Sequence, residues 1–273
     1  MIVSHPLLRH DYHRCNKLYG IHTVDFGAAG GRTCRWKTST CFKVCYGRHG
    51  HFDKRSPAIS TRILTRLRWL EKQSGSAIYE AMTNPTGKLR AFRIGRVGDC
   101  SNPDYTSGVV YALLEQNVPF MWPTRAWRDP DHPSWRLIDY LLPGQVHCSI
   151  DATTVQRGEV PPPGYPQAFI AEPTTGWWIP EGFTWCPHYP KPGELVRSVL
   201  NCYECGICYR RPGEKDRPHI AFALHTSGGV PMFYVHELRQ RAKGLSEWDA
   251  GEADYPTCGI MTPEGWNAPF DDV

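Results

Sequence analysis

Eleven cysteines constrain this chain more than any other feature. They stand at positions 15, 34, 41, 45, 100, 148, 186, 202, 205, 208 and 258, and six of them fall into two tight groups of three. Eleven is an odd number, and 273 residues is far longer than a small secreted disulfide module. The opening residues, MIVSHPLLRHDYHR, hold too short an apolar run for a secretory signal and no small-residue cleavage site. The expected location is therefore cytoplasmic. There thiols stay reduced, and clustered cysteines are metal ligands more often than disulfides.

Composition narrows the class further. With 41% apolar and 12% aromatic residues the chain can bury a sizeable core, which excludes global disorder. No stretch approaches the roughly 18 apolar residues of a membrane span, so no membrane partner is expected. Lys and Arg number 31 against 27 Asp and Glu, a net charge of +4. That balance permits nucleic-acid contact without demanding it. Gly 25 and Pro 24 point to many loops.

Along the chain, residues 1–17 read as an irregular N-terminal arm. Residues 18–26 alternate as a strand, and 28–52 form a long Gly- and Cys-rich loop. Residues 57–83 carry Ile59, Ile63, Leu67 and Leu70 at helical spacing. Strands are predicted over 89–97, 118–125, 145–151, 167–171, 183–187 and 219–225. Helices are predicted over 104–117, 134–142 and 235–243, and the tail from 244 reads as irregular. Strands separated by helical patterns make an α/β chain with a parallel sheet, and the unit count fits a barrel or partial barrel. In such folds chemistry gathers on loops after the strand C-termini. The first cysteine group follows the first strand, and Gly98-Asp99 follows the second. Four segments result: the arm 1–17, a β/α core 18–180 containing the cysteine loop 28–52, a second cysteine module 181–218, and a last strand, helix and tail 219–273.

Cys34, Cys41 and Cys45 can wrap one metal centre. Zinc in a structural site takes four ligands, and His49 or His51 can supply the fourth. Alternatively the three thiolates hold a [4Fe–4S] cluster whose fourth iron stays open. Cys202, Cys205 and Cys208, in NCYECGICYR, have two successive two-residue gaps. Cys186, in TWCP, is the natural fourth ligand, with Cys258 as its competitor. A complete four-thiolate shell leaves no open position, so zinc or a second [4Fe–4S] cluster there is structural or an electron relay; spacing does not separate the two. Cys148 reads as a small core residue, while Cys100 stands beside Gly98-Asp99.

The order of these motifs is GRTCxxxxxxCxxxCYG, a long helix, a strand ending in Gly98-Asp99, then WPTRAW, HCSID, Cys186-Pro and CYECGIC. It resembles the phage family called gene product 88 and, more distantly, radical S-adenosylmethionine (SAM) enzymes, over residues 18–225. Their cysteine gaps are typically three and two residues; here they are six and three. The resemblance implies a partial (β/α) barrel of the radical SAM type with a Cys-rich C-terminal metal-binding insertion. It implies a catalytic cluster on Cys34, Cys41 and Cys45, SAM chelated at the open iron, and Gly98-Asp99 near the SAM amino group. Arg125 and Asp151 close candidate strands, where they contact cofactor or substrate or form a structural ion pair.

The function expected from this is an iron–sulfur enzyme of radical SAM-like type, phage-encoded and working in the host cytoplasm. Its substrate would be a nucleic-acid base or nucleotide, and its electron donor a flavodoxin or ferredoxin. Trp122, Trp127, Trp177 and Trp178 are candidates for stacking bases, or are core and rim. The alternative is a zinc- or cluster-stabilised nucleic-acid-binding or phage accessory protein without catalysis. Its support is the basic balance and stretches such as Arg35-Trp36-Lys37 and Arg210-Arg211.

Overall fold

The computed structural model describes residues 7–10, 21–27, 34–43, 65, 68–70, 72–85, 89–95, 98–171, 178–187, 202–214 and 216–223. Cys15, Cys45, Cys258, His49, His51, Trp177 and the predicted helix 235–243 lie outside them, as do the predicted tail and residues 57–64, 66, 67 and 71 of the predicted 57–83 helix.

The frame is a mixed α/β arrangement of parallel strands. The first sheet runs β1 (Leu8–His10), β2 (His22–Val24), β3 (Phe92–Ile94) and β4 (Phe120–Met121). The second has β5 (Pro123–Thr124), β6 (His147–Ile150) and β7 (Gln167–Ala171), then β9 (Ile220–Ala223) and β8 (Thr184–Trp185) at the edge. Every pairing is parallel except β1 with β2. Only Trp122 separates β4 from β5, and its carbonyl accepts from His147 N at 2.8 Å, so the ladder passes from one sheet to the other. The partial barrel expected from the sequence is thus represented by parallel sheets, without a demonstrated closure. Every predicted strand in the described region is present: 167–171 keeps its bounds, 118–125 is divided into β4 and β5, and the others are shorter. The arm read as irregular supplies β1, whose register sets Leu8 against Val24.

Helices fill the crossovers: α1 (Ser39–Lys43), α2 (Gly75–Thr83), α3 (Pro103–Gln116), α4 (Pro133–Leu141), α5 (Ala152–Gln156) and α6 (Cys202–Cys205). α3 has both of its punctuation marks in the sequence. The Asn102 side chain accepts from Asp104 N and Tyr105 N, Pro103 opens the first turn, and Asn117 ends the helix in the left-handed region. The predicted helix 57–83 is corrected at its centre: residues 72–74 leave the helix, and α2 starts afresh with Ser74 as its cap. Gly75 explains the restart. It lies against α3 so closely that a Cβ would stand 2.2 Å from the Asp104 carbonyl oxygen.

The sheet has two distinct faces, because neighbours along a strand point to opposite sides. Val24, Phe92, Ile94, Phe120, Trp122, Cys148, Ile150 and Phe169 pack against Ile78, Val109, Leu113, Trp135 and Ile138 of the helices, forming the main core. On the other face, Ile21, Ala91 and Met121 meet Tyr209, Cys202, Cys208 and Phe222. Ala168 and Ile220 there meet Cys186, Ile207 and Cys208. The residue 202–211 segment therefore lies on the face that α2–α4 do not cover. A bridge between Phe120 and Arg210 pins it there.

Candidate functional site

Chemistry-bearing side chains collect in two places. The first is the C-terminal end of the parallel strands. Asp99, in the turn after β3, accepts from Cys100 N at 2.8 Å, Thr124 Oγ1 at 2.6 Å and Arg125 N at 2.8 Å. Burial raises its carboxyl above the ordinary value even against these donors. Cys100 Sγ stands 3.2 Å from Thr124 Oγ1, and burial pushes its thiol well up.

Arg125 closes β5 and Asp151 closes β6, and the two pair at 2.8 Å with side chains 6% and 0% exposed. Asp151 also caps α5, accepting from Thr154 N at 3.0 Å and Thr154 Oγ1 at 3.2 Å, and it accepts from Thr38 Oγ1. Burial works to raise the Asp151 carboxyl. The Arg125 guanidinium with the Thr38 and Thr154 donors outweighs it, so the group titrates below the ordinary carboxylate range. Arg125 Nη1 is buried and has no hydrogen-bond partner among the described residues.

The cysteine loop is fastened to this end. Besides Thr38, Thr40 Oγ1 stands 2.7 Å from Thr153 Oγ1, and Arg128 Nη1 donates to the Trp36 carbonyl at 2.8 Å. Trp36 is buried edge-on against His132 with centroids 4.8 Å apart. Cys34 and Cys41 are half-buried on this docked loop. The Arg35-Trp36-Lys37 run is therefore not a uniform charged surface: its tryptophan anchors the loop, and Arg35 pairs with Asp129 at 3.4 Å.

The second place is the opposite sheet face. After α6, Gly206 takes φ 64, a conformation glycine adopts without steric cost, and its N–H donates to the Cys202 carbonyl at 3.0 Å. The turn folds Cys208 back to the cluster that holds Cys202. Cys186, just after β8, joins Cys208 around Ala168 and Ile220. Tyr209 is buried here, and its phenol is pushed well above its ordinary value by burial, with Cys202, Cys208 and Cys186 among the groups acting on it. Its hydroxyl has no hydrogen-bond partner among the described residues. Cys205 lies one turn from Cys202 and is half-buried.

Cations surround this second place. Arg93, on β3, contacts Met121 Sδ. Arg217 is 8% exposed, and burial brings its guanidinium down to about 10. His147 is fully buried and lowered to about 3 by burial, with Arg217 and Arg93 adding to the effect. Pro218 has its carbonyl near the His147 ring, yet neither ring nitrogen makes a well-formed hydrogen bond among the described residues.

The structure thus packs Cys202 and Cys208 with Tyr209, Cys186 and Cys208 around Ala168 and Ile220, and Asp99 against Arg125 N. Among the described residues no group of three or more His, Cys, Asp or Glu side chains forms a ready metal site. None of the eight described cysteines forms a disulfide. Trp122 and Trp127 are core residues, with Trp122 stacked on Phe26 at 5.7 Å, so neither is placed to stack bases. Trp178 is 51% exposed. The sequence reading missed Tyr209, Arg217 and His147. The available signals were a tyrosine directly after the last cysteine of CYECGIC and a histidine opening an otherwise apolar strand.

The fold and these two places define an α/β protein with parallel sheets and clustered thiols. Residues 10–136 match the model of a family described as Gene product 88. That match supports a relation to this phage family and is consistent with phage origin. No curated protein and no solved structure matches the chain. No helix among the described residues is long and apolar enough to cross a membrane.

Proposed function

We propose that the chain is an iron–sulfur enzyme of radical SAM-like type, with its catalytic [4Fe–4S] cluster on Cys34, Cys41 and Cys45. The observation that carries this reading is the docking of the Cys34–Lys43 segment onto the C-terminal strand ends, through Thr38 on Asp151 and Arg128 on the Trp36 carbonyl. Parallel α/β folds assemble their chemistry at that end. The donor set fits the group: soft thiols on the loop suit iron, and the unmatched Arg125 Nη1 suits an anionic group beside it. When bound, such a cluster supplies an electron and an open coordination position to SAM.

The chain's own residues do the rest. Arg125 offers its remaining N–H to an anion. Asp99 holds the β3 turn against β5 through Thr124 and Arg125 N, which supports a role for Gly98-Asp99 in binding SAM. Cys186, Cys202, Cys205 and Cys208 hold zinc or a second cluster in this reading, which the packing of Cys186, Cys202 and Cys208 on one sheet face supports. A nucleic-acid base or nucleotide is the substrate class, in host cytoplasm, with a flavodoxin or ferredoxin as electron donor.

Adding SAM to the reduced, anaerobic protein tests this. The expected result is a perturbed cluster resonance spectrum and release of 5′-deoxyadenosine. An unchanged spectrum with no 5′-deoxyadenosine overturns the radical SAM assignment, even if iron is present.

One observation favours a second reading, a zinc- or cluster-stabilised nucleic-acid-binding or accessory protein. Asp99 and Asp151 are both committed to structural donors, as a purely architectural site would have them. Zinc as the sole bound metal would select that reading.

A further inference from the structure

Six residues separate Cys34 from Cys41, and they are seated as an alternating run. Trp36 and Thr38 are buried and Thr40 is half-buried, whereas Arg35, Lys37 and Ser39 are exposed. Each inward residue has its own holder. Trp36 sits edge-on against His132, and its carbonyl accepts from Arg128 Nη1 at 2.8 Å. Arg128 is held in turn by Glu159 at 2.6 Å. Thr40 Oγ1 stands 2.7 Å from Thr153 Oγ1. Thr38 lies between them, and its hydroxyl works in both directions: it donates to Asp151 Oδ2 and accepts from Cys41 N at 2.9 Å. Asp151 is a fixed anchor, because Arg125 Nη2 at 2.8 Å and Thr154 N at 3.0 Å donate to it as well. At the other end, Lys37 N donates to the Cys34 carbonyl at 3.3 Å, which ties the first cysteine to the same seat. Hydrogen bonds therefore run without a break from Arg125 through Asp151 and Thr38 to the backbone of Cys41. A three-residue gap alternating in this way would present fewer inward side chains. Hydrogen bonds to a buried charge are stronger than neutral ones and costly to leave unmade. The seat is built from protein groups, so the loop is held before anything binds its thiols, and binding need not supply the cost of ordering it.

We propose that the segment between the two cysteines is a clamp centred on Thr38, a positioning residue that holds Cys34 and Cys41 in place for a shared metal centre. The inference rests on the ligand reading of these cysteines given above and deepens it, by giving the six-residue gap a task.

The test is a pulse of iodoacetamide on the full-length, reduced, metal-free chain, read cysteine by cysteine by mass spectrometry. Cys100 and Cys148 are fully buried and report global opening in the same sample. Thr38→Val keeps nearly the shape of the side chain and removes both hydrogen bonds. It should raise the labelling of Cys34 and Cys41 about tenfold or more, since a buried bond to a charged group no longer opposes local opening, and leave Cys100 and Cys148 unchanged. Thr38→Ser keeps the hydroxyl and should label like the wild type. Thr40→Val cuts a link between neutral groups and should raise Cys41 by a smaller factor. After reconstitution with ferrous iron and sulfide, Thr38→Val should surrender iron to a chelator faster than the wild type, by about the same factor as its labelling rises.

Unchanged labelling of Cys34 and Cys41 in Thr38→Val overturns the clamp. So does a rise shared by Cys100 and Cys148, which would make Thr38 a residue of general stability, or a metal-free wild type in which those two label as fast as Cys34. A Thr38→Ser chain that labels like Thr38→Val overturns the role of the hydroxyl. If Thr38→Val does not fold, Thr40→Val decides: a rise confined to Cys34 and Cys41 supports the clamp, and no rise overturns it. Equal iron loss from Thr38→Val and the wild type overturns the positioning of ligands. A wild-type chain that takes up no iron overturns the ligand reading beneath, and the labelling of the metal-free chain still decides whether the clamp exists.

Discussion

At the C-terminal strand ends, Asp151 accepts from Arg125 Nη2, Thr38 Oγ1, Thr154 N and Thr154 Oγ1, and Asp99 accepts from three donors. On the opposite sheet face, Tyr209 OH, Arg217 Nε and both nitrogens of His147 are buried without well-formed partners among the described residues. Both regions bury polar groups, yet the first is nearly self-sufficient and the second is not. Buried polar groups in folded proteins are almost always satisfied. The first region therefore reads as an architecture that presents one spare donor, Arg125 Nη1, to whatever binds in front of it. The second leaves buried polar atoms without partners among the described residues.

The comparison breaks most readily at its self-sufficient end. Replacing Asp151 with Ala strands a buried arginine and uncaps α5. Removing one partner of a buried pair costs about 3–5 kcal/mol, so the variant should show a loss of that order in urea denaturation. A loss below about 1 kcal/mol would mean that water reaches Arg125 and that the pair is not sealed, since exposed pairs contribute only that much.

The incomplete region should reveal itself in acid. His147 is held neutral, with its pKa lowered to about 3, whereas in the unfolded chain it titrates near its ordinary value of about 6.5. A depressed pKa means that the unfolded state binds the proton first. The stability is thus fully present above about 6.5 and is lost as pH falls toward the folded value, at roughly 1.4 kcal/mol per pH unit. Between pH 6.5 and 5 this amounts to about 2 kcal/mol. Asp151 adds its own loss only at lower pH, below the ordinary carboxylate value of about 3.9. A urea-denaturation series from pH 7 to 5 should show the slope in the wild type and not in His147→Gln. Equal slopes in the two proteins would place the acid sensitivity elsewhere.

The smallest expected effect sharpens the account of Asp99. Thr124→Val removes one donor of three and leaves the backbone donors in place. Hydrogen bonds to charged groups contribute about 1.5–3 kcal/mol, and with two donors remaining the lower end, about 1.5 kcal/mol, is expected in thermal or urea unfolding. An unchanged stability would show that Thr124 does not hold the β3 turn against β5.

Particular residues show how far the sequence could be read. α3 was legible because its signals are local: Asn102 and Pro103 start it and Asn117 stops it. The parallel strands were legible as short apolar runs between helical patterns, such as QAFIA and HIAFA. Arg125 and Asp151 were recognised as strand-closing residues, and the ion pair is one of the two roles the sequence allowed them. Three features depend on contacts distant in sequence and left little local trace. β1 forms because β2 offers it an edge. The break before α2 places Gly75 against Asp104. Arg217 and Tyr209 acquire meaning only when the chain after α6 lies on the sheet, with Arg217 on the Phe120 carbonyl and Tyr209 against Ile21, Ala91 and Met121. Spacing could group the cysteines, but it could not say which sheet residues they would pack against.

The central claim is that the two cysteine groups hold metal and that the first holds iron. The most direct measurement is iron, sulfide and zinc content, with the visible spectrum, of the full-length chain purified without oxygen, alongside Cys34→Ser and Cys202→Ser. The account predicts a brown protein containing iron and acid-labile sulfide, with Cys34→Ser losing the iron of the first group and retaining the metal of the second. A colourless chain with zinc alone, or one whose metal content neither substitution changes, would contradict it.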